Sequence, residues 1–114
     1  MDDFSDFMKS EQNRVDKTQQ HTRDIAGYFY QGADGGQMAF WTHYADRTSE
    51  KHVHDFDEYM VCVAGQYTVC MGEKEITLNS GDEILIPKNT EHWGKAVSGT
   101  RNIHAFGGKR IFTG

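Results

Sequence analysis

The sequence predicts an all-β domain, an antiparallel sandwich or barrel, behind a short and partly helical N-terminal arm. Three observations carry this expectation. All twelve glycines lie at or beyond Gly27, and the one proline is Pro87. From Gly27 onward, short runs rich in β-branched and aromatic residues alternate with turn residues. No helical segment is read after residue 27, and many short strands with few residues between them imply a sandwich or barrel.

Each element follows from its own stretch of chain. Strands are expected at 25–30 (IAGYFY), 37–45 (QMAFWTHYA), 49–54, 58–64 (EYMVCVA) and 66–71 (QYTVCM), then at 74–78 (KEITL), 83–87 (EILIP), 91–96 (EHWGKA), 101–106 (RNIHAF) and 109–112. Between them DGG, AG, GEK, NSGD, PKNT and SGT are turn chemistry. In the arm, residues 1–24, Phe4, Phe7, Met8 and Val15 recur at helix-compatible spacing among charged and Gln-rich neighbours. That pattern fits one sparse amphipathic helix or a partly ordered arm. It is either a solvated tail or a segment that caps the domain, residues 25–114, or packs on a second subunit.

Composition excludes some classes. With 114 residues the chain is the size of one core, and 37% hydrophobic residues are enough to build it. The net charge is −5 with both signs mixed, which does not fit a nucleic-acid binder needing a dense basic stripe. The acidic start MDDFSDFMKS is unlike a secretory signal, and the longest apolar run, YMVCVA, is too short to cross a bilayer. The expectation is a cytoplasmic protein with neither nucleic acid nor membrane as partner. If Cys62 and Cys70 lie on a hairpin turning at Ala64-Gly65 with two residues, they point to opposite faces and cannot bridge. A three-residue turn would make them direct partners. Two free thiols fit a reducing compartment.

The chemistry concentrates in KHVHDFDEYMVCVAG, residues 51–65. On a strand, His52 and His54 share a face with backbones about 6–7 Å apart, close enough for both imidazoles to reach one ion. An uninterrupted strand would carry Glu58 about 13 Å past His54. Asp55-Phe56-Asp57 must therefore bend the chain so that Glu58 opens the next strand alongside. His92 opens a later strand after a turn, a buried strand and a second turn. His43 and His104 fall on predicted strands as pocket residues, and His21 lies in the arm.

These residues resemble the cupin superfamily. One of its motifs runs glycine, five residues, His-x-His, three or four residues, Glu, six residues, glycine; from His52 to Gly65 every spacing matches. In the second motif Gly81, Pro87 and His92 match, with Gln66 to Ser80 as a short stretch between the motifs. Asp46 stands where the first glycine is expected, Asn89 replaces a glycine, and Ala96 replaces a terminal asparagine. None of the three is a ligand position in the family. Asn89 is a mild change, because Asn tolerates left-handed backbone.

The resemblance implies a double-stranded β-helix, the cupin or jelly-roll barrel, and a homodimer. It makes His52, His54, Glu58 and His92 the ligands of one divalent transition metal, with Fe, Mn, Ni, Co, Cu and Zn all chemically suited. Four protein ligands on a six-coordinate ion leave two positions for water, dioxygen or a small-molecule ligand or substrate. If Glu58 faces inward, so do Met60 and Cys62, and across a hairpin Tyr67, Val69 and Met71. Core filling is the plainer role for Met60 and Cys62. Tyr59, Val61 and Val63 would face outward and need cover. His104 is the spare general acid or base, and a packed, hydrogen-bonded histidine is the equal alternative. Trp93 has the parity to pack outside the cavity.

Three function classes fit. The first is a small metalloenzyme acting on an oxygen-bearing substrate, dioxygenase- or isomerase-like, thus an oxidoreductase or an isomerase or lyase. The second is a non-catalytic module that holds its ligand through the metal. In the third, the metal is structural or adventitious. No catalytic residue is assigned.

Overall fold

The computed structural model describes residues 1–19 and 24–112; His21 lies outside them. Nine strands are present among the described residues: β1 (Ile25–Gln31), β2 (Gln37–His43), β3 (Arg47–Thr48), β4 (Glu58–Ala64), β5 (Gln66–Met71), β6 (Lys74–Asn79), β7 (Glu83–Ile86), β8 (Trp93–Ala96) and β9 (Arg101–Phe106). They form two antiparallel sheets, ordered β1-β2-β9-β4-β7 and β3-β8-β5-β6. This is the all-β jelly-roll barrel expected. No described helix is long and apolar enough to cross a membrane.

Alternation places side chains on the two faces of the larger sheet. In β2, Gln37, Ala39, Trp41 and His43 are all at most 5% exposed. Ala39 and Trp41 join Ile25, Phe29, Phe106 and Ile111 in one apolar cluster. Met60, Cys62, Tyr67, Val69, Leu78, Ile86 and Ala96 form a second. Met60 and Cys62 come from one sheet and Tyr67 and Val69 from the other, so this cluster joins the two layers.

The expected hairpin between residues 58–64 and 66–71 does not exist. β4 pairs with β7 and β9, whereas β5 pairs with β6 and β8. Gly65 carries the chain from one sheet to the other at φ 83°. A Cβ there would lie 2.5 Å from Thr100 Oγ1 and 2.7 Å from Thr100 Cα, so only glycine fits both the conformation and the space. Thr100 Oγ1 accepts from Gln66 N at 3.1 Å and donates to Gln66 O at 3.0 Å, fixing the crossover. Cys62 and Cys70 are indeed free and buried. The reason is this division between sheets and not hairpin parity. The inward set of Met60, Cys62, Tyr67 and Val69 was assigned correctly, but its members meet across the barrel.

Two other elements differ from expectation. Residues 49–54 form no strand; β3 covers only Arg47 and Thr48, and His52 makes one isolated bridge to His92. Residues 109–112 are likewise not a strand.

The arm is three short 3-10 turns, at Asp6–Met8, Glu11–Asn13 and Lys17–Gln19, in place of one amphipathic helix. Its apolar residues still find cover, apart from Met1 and Phe7, which are 88% and 80% exposed. Phe4 packs with Ala26, Tyr28 and Phe40 on the outer face of the large sheet, against which Met8 and Val63 also lie. Val15 enters the inner cluster, and its N–H donates to Gly27 O at 2.8 Å. The arm thus caps its own domain and covers Val63, one of the outward residues.

Candidate metal centre

Glu58 opens β4 between β9 and β7, facing Phe106 on one side and Ile86 on the other, and is 3% exposed. The bend before it is held by main-chain partners. Asp57 accepts from Lys88 N through Oδ1 at 2.9 Å and from Gly107 N through its carbonyl at 2.8 Å. Phe56 stacks on the His54 ring, with centroids 4.8 Å apart and planes within 8°. Asn89 adopts φ 64°, the left-handed conformation a glycine would take, and its N–H donates to His54 O at 2.7 Å. That is how Asn89 serves in place of the motif glycine.

His52 and His92 are set opposite each other by reciprocal N–H···O bonds, both 2.9 Å. Their rings lie 4.1 Å apart, and His54 lies 5.0 Å from His52 and 5.7 Å from His92. His52 Nδ1 is 2.9 Å from Glu50 O, and His92 Nδ1 is 2.9 Å from Thr90 O. A carbonyl only accepts, so each Nδ1 carries the proton and Nε2 keeps the lone pair. Such a bond sets tautomer and ring angle in a metal-ligating histidine.

The four predicted ligands therefore converge. One donor atom from each of His52, His54, Glu58 and His92 lies within 4.8 Å of the others. Glu58 Oε1 is 3.5 Å from His54 Nε2 and 3.4 Å from His92 Nε2. Adjacent ligands on one ion with bonds of about 2.1 Å lie about 3.0–3.4 Å apart. His54 Nε2, His92 Nε2 and Glu58 Oε1 are buried with no hydrogen-bond partner. Buried polar atoms without partners are costly. Three of them aimed at a common point fit a cation held by nitrogen and oxygen donors.

The electrostatics agree. Burial raises the Glu58 pKa, but His104 and His92 outweigh it and hold the carboxyl well below the usual range, so it is ionised. Burial pushes His52 down to about 4 and His54 also down, which keeps both imidazoles neutral. His92 moves the other way: burial lowers its pKa, but Glu58 and the Thr90 carbonyl outweigh it. A proton thus competes with metal most strongly at His92. Metal affinity is expected to fall as pH drops through this raised pKa, above the ordinary histidine value of about 6.5. A titration of metal binding between pH 8 and pH 5 checks the sign; affinity constant across that range contradicts it.

His104 points inward, and its Nδ1 donates to Glu58 Oε2 at 2.8 Å. It orients the carboxylate so that Oε1 faces the cluster. Of the two sequence readings of His104, the packed, hydrogen-bonded histidine is the one observed, but its partner Glu58 was not foreseen. The signal was the β9 register, which brings the neighbouring pair Phe106 and Glu58 together and His104 opposite Met60. His43 is 2% exposed, and its ring lies 5.8 Å from that of Tyr67. Trp93 lies outside the cavity lining, as its parity required. Of the two motif departures besides Asn89, Asp46 accepts from Ser98 N at 2.7 Å, and Ala96 packs in the core.

A cavity of about 60 Å³ opens on the cluster. All four donor residues line it, with His43, Arg47, Met60, Tyr67, His104 and Arg110 among the others. Arg47 and Arg110 were missed because an arginine on a short strand or loop looks like a solvated charge in sequence.

A two-sheet jelly roll with a histidine–carboxylate cluster in the wall of its cavity defines a small β-barrel with a candidate metal centre. The Cupin domain family model matches residues 40–105, and the chain belongs to the cupin family. Solved structures agree in fold. KdgF from Halomonas sp. superposes with a TM-score of 0.70 at 18% identity, covering 82% of this chain and 84% of that one. An RmlC-like cupin from Shewanella frigidimarina NCIMB 400 gives 0.70 at 14% identity, covering 90% of each chain. A candidate mannose-6-phosphate isomerase from Ralstonia eutropha JMP134 gives 0.68 at 14%, covering 77% and 88%. No curated protein sequence matches this chain.

Proposed function

We propose that His52, His54, Glu58 and His92 bind one divalent transition metal, and that the protein is a small metalloenzyme acting on an oxygen-bearing small molecule. The observation that carries this reading is the cavity. The donor cluster forms part of its wall, so a ligand can reach the ion. A bound ion of this kind supplies Lewis-acid or oxygen-activating chemistry. The protein's own groups orient the ligands: Glu50 O and Thr90 O set the His52 and His92 tautomers, and His104 sets Glu58. Met60, Trp41 and Phe106 contribute apolar lining. Fe, Mn, Ni, Co, Cu and Zn all match three imidazoles and a carboxylate.

The non-catalytic reading has one specific observation in its favour. His104, the spare acid or base, is engaged with Glu58 at 2.8 Å. Water-proton relaxation of the Mn-loaded protein tests whether the ion has an open position. Exchangeable water on the ion is the expected result. A fully coordinated ion with no exchangeable water would overturn both the enzyme and the ligand-holding readings. We further propose a homodimer, supported by the exposed Tyr30, Met38 and Leu85 at 40%, 45% and 59%. Light scattering on the eluting protein measures its mass directly, and a monomer would reject the dimer.

A further inference from the structure

The charged lining of the cavity is unbalanced. Glu58 is its one carboxylate among the described residues, and Arg47 and Arg110 both line it. A divalent ion would add two more positive charges. The two arginines differ in what holds them. Arg110 Nη2 donates to Gln19 O at 3.1 Å, and its backbone N–H donates to Gln37 Oε1 at 2.9 Å. Arg47 Nε is buried with no hydrogen-bond partner, and no described carboxylate lies within 4.0 Å of the guanidinium. A guanidinium does not shed its proton, so this is a partly buried charge without a counter-ion among the described residues.

His43 shares that wall. It is 2% exposed, and neither ring nitrogen has a hydrogen-bond partner. Burial first, with Arg47 and His104 adding to it, pushes its pKa down to about 3. A neutral imidazole offers one donor and one acceptor. Here both are unsatisfied beside a cation.

We propose that the cavity binds a small carboxylate anion, anchored by the Arg47 guanidinium and contacted by His43, next to the metal centre. The guanidinium fork matches a carboxylate, and such pairs are among the stronger hydrogen bonds in proteins. About 60 Å³ holds about four water-sized groups, so the anion has about three carbons. The metal-side affinity rests on the proposed metal centre; the dependence on Arg47 does not.

Calorimetric titration with pyruvate, and with its uncharged isostere pyruvamide, tests the inference. Both are run on metal-loaded and on chelator-treated protein, with metal content measured in parallel. Pyruvate is expected to bind both forms, more tightly with metal present, and pyruvamide at least 10-fold more weakly, about one charge-assisted hydrogen bond. Arg47→Met is expected to keep its metal and to bind pyruvate about 10- to 100-fold more weakly in each form. Arg47→Lys should recover part of the loss, since lysine restores the charge but not the fork. Should Arg47→Met melt early, Arg47→Gln gives the same comparison with the polar stem kept. Equal affinity of the Met or Gln variant and wild type, or equal binding of pyruvate and pyruvamide, overturns the anion site. Absence of metal with Arg47-dependent pyruvate binding would instead overturn the metal reading and leave this one standing.

Discussion

Alanine at His92 is expected to abolish stoichiometric metal binding and to leave a folded barrel. The imidazole supplies one of four donors, and changes to outer-shell partners alone cost about 10–100-fold in affinity. Loss of a ligand should therefore cost about 100-fold or more. The barrel should survive because the His52–His92 pairing is made by main-chain atoms, which alanine retains. His52→Ala should behave in the same way. His104→Ala removes only the group that orients Glu58, so metal should still bind, about 10–100-fold more weakly. Elemental analysis after gel filtration, with circular dichroism on the same samples, measures both halves. Full metal occupancy in His92→Ala would sink the ligand assignment.

The second large effect concerns packing behind the site. A Cβ on Gly94 would overlap the Tyr67 hydroxyl and ring. Tyr67 is 8% exposed and packs within the inter-sheet cluster, so relieving the overlap means displacing its ring from that packing toward the cavity. Gly94→Ala is expected to destabilise the protein by about 3 kcal/mol, at the upper end of ordinary overpacking. In a Tyr67→Ala background the same substitution should cost no more than a few tenths of a kcal/mol, because the obstructing ring is gone; a coupling of about 2–3 kcal/mol is the signature. Urea unfolding of the four proteins reads it out. Independent, additive effects would show that the ring does not lie over Gly94.

Much of the site was legible because its spacing encodes geometry. His52, His54 and Glu58 are separated by a bend that only a turning chain explains, and Asp57 is held by Lys88 N and Gly107 N on that bend. His92 was found by its motif, and its main-chain bridge to His52 shows why a residue so distant in sequence belongs beside it. The path between sheets was not legible. Alternating residues ending at a glycine look the same whether the chain folds back on itself or crosses the barrel at Gly65. Parity survived that error, since side-chain alternation along a strand does not depend on its partner. The arm failed for a different reason. Phe4 and Val15 have helical spacing, yet they are buried against opposite faces of the large sheet, which one straight helix could not reach. His43 was legible as a pocket residue on its strand but without a role, and Arg47 had no local signature at all, because the meaning of both comes from partners they lack.

The reciprocal main-chain pairing of His52 and His92 also bears on the order of events during biogenesis. Two donors are positioned by their own main-chain bridge, and a third, Glu58, by His104. Those three positions are set by protein groups, although His54 Nε2, His92 Nε2 and Glu58 Oε1 stay unpartnered until a cation is bound. If the proposed ion binds, it can enter a finished barrel through the open cavity, and metallation need not accompany folding as it does in small zinc domains. An ion acquired late is drawn from whatever the surroundings supply at that moment. The ion at the proposed centre should then change with the medium in which the protein is produced, while the barrel around it stays the same.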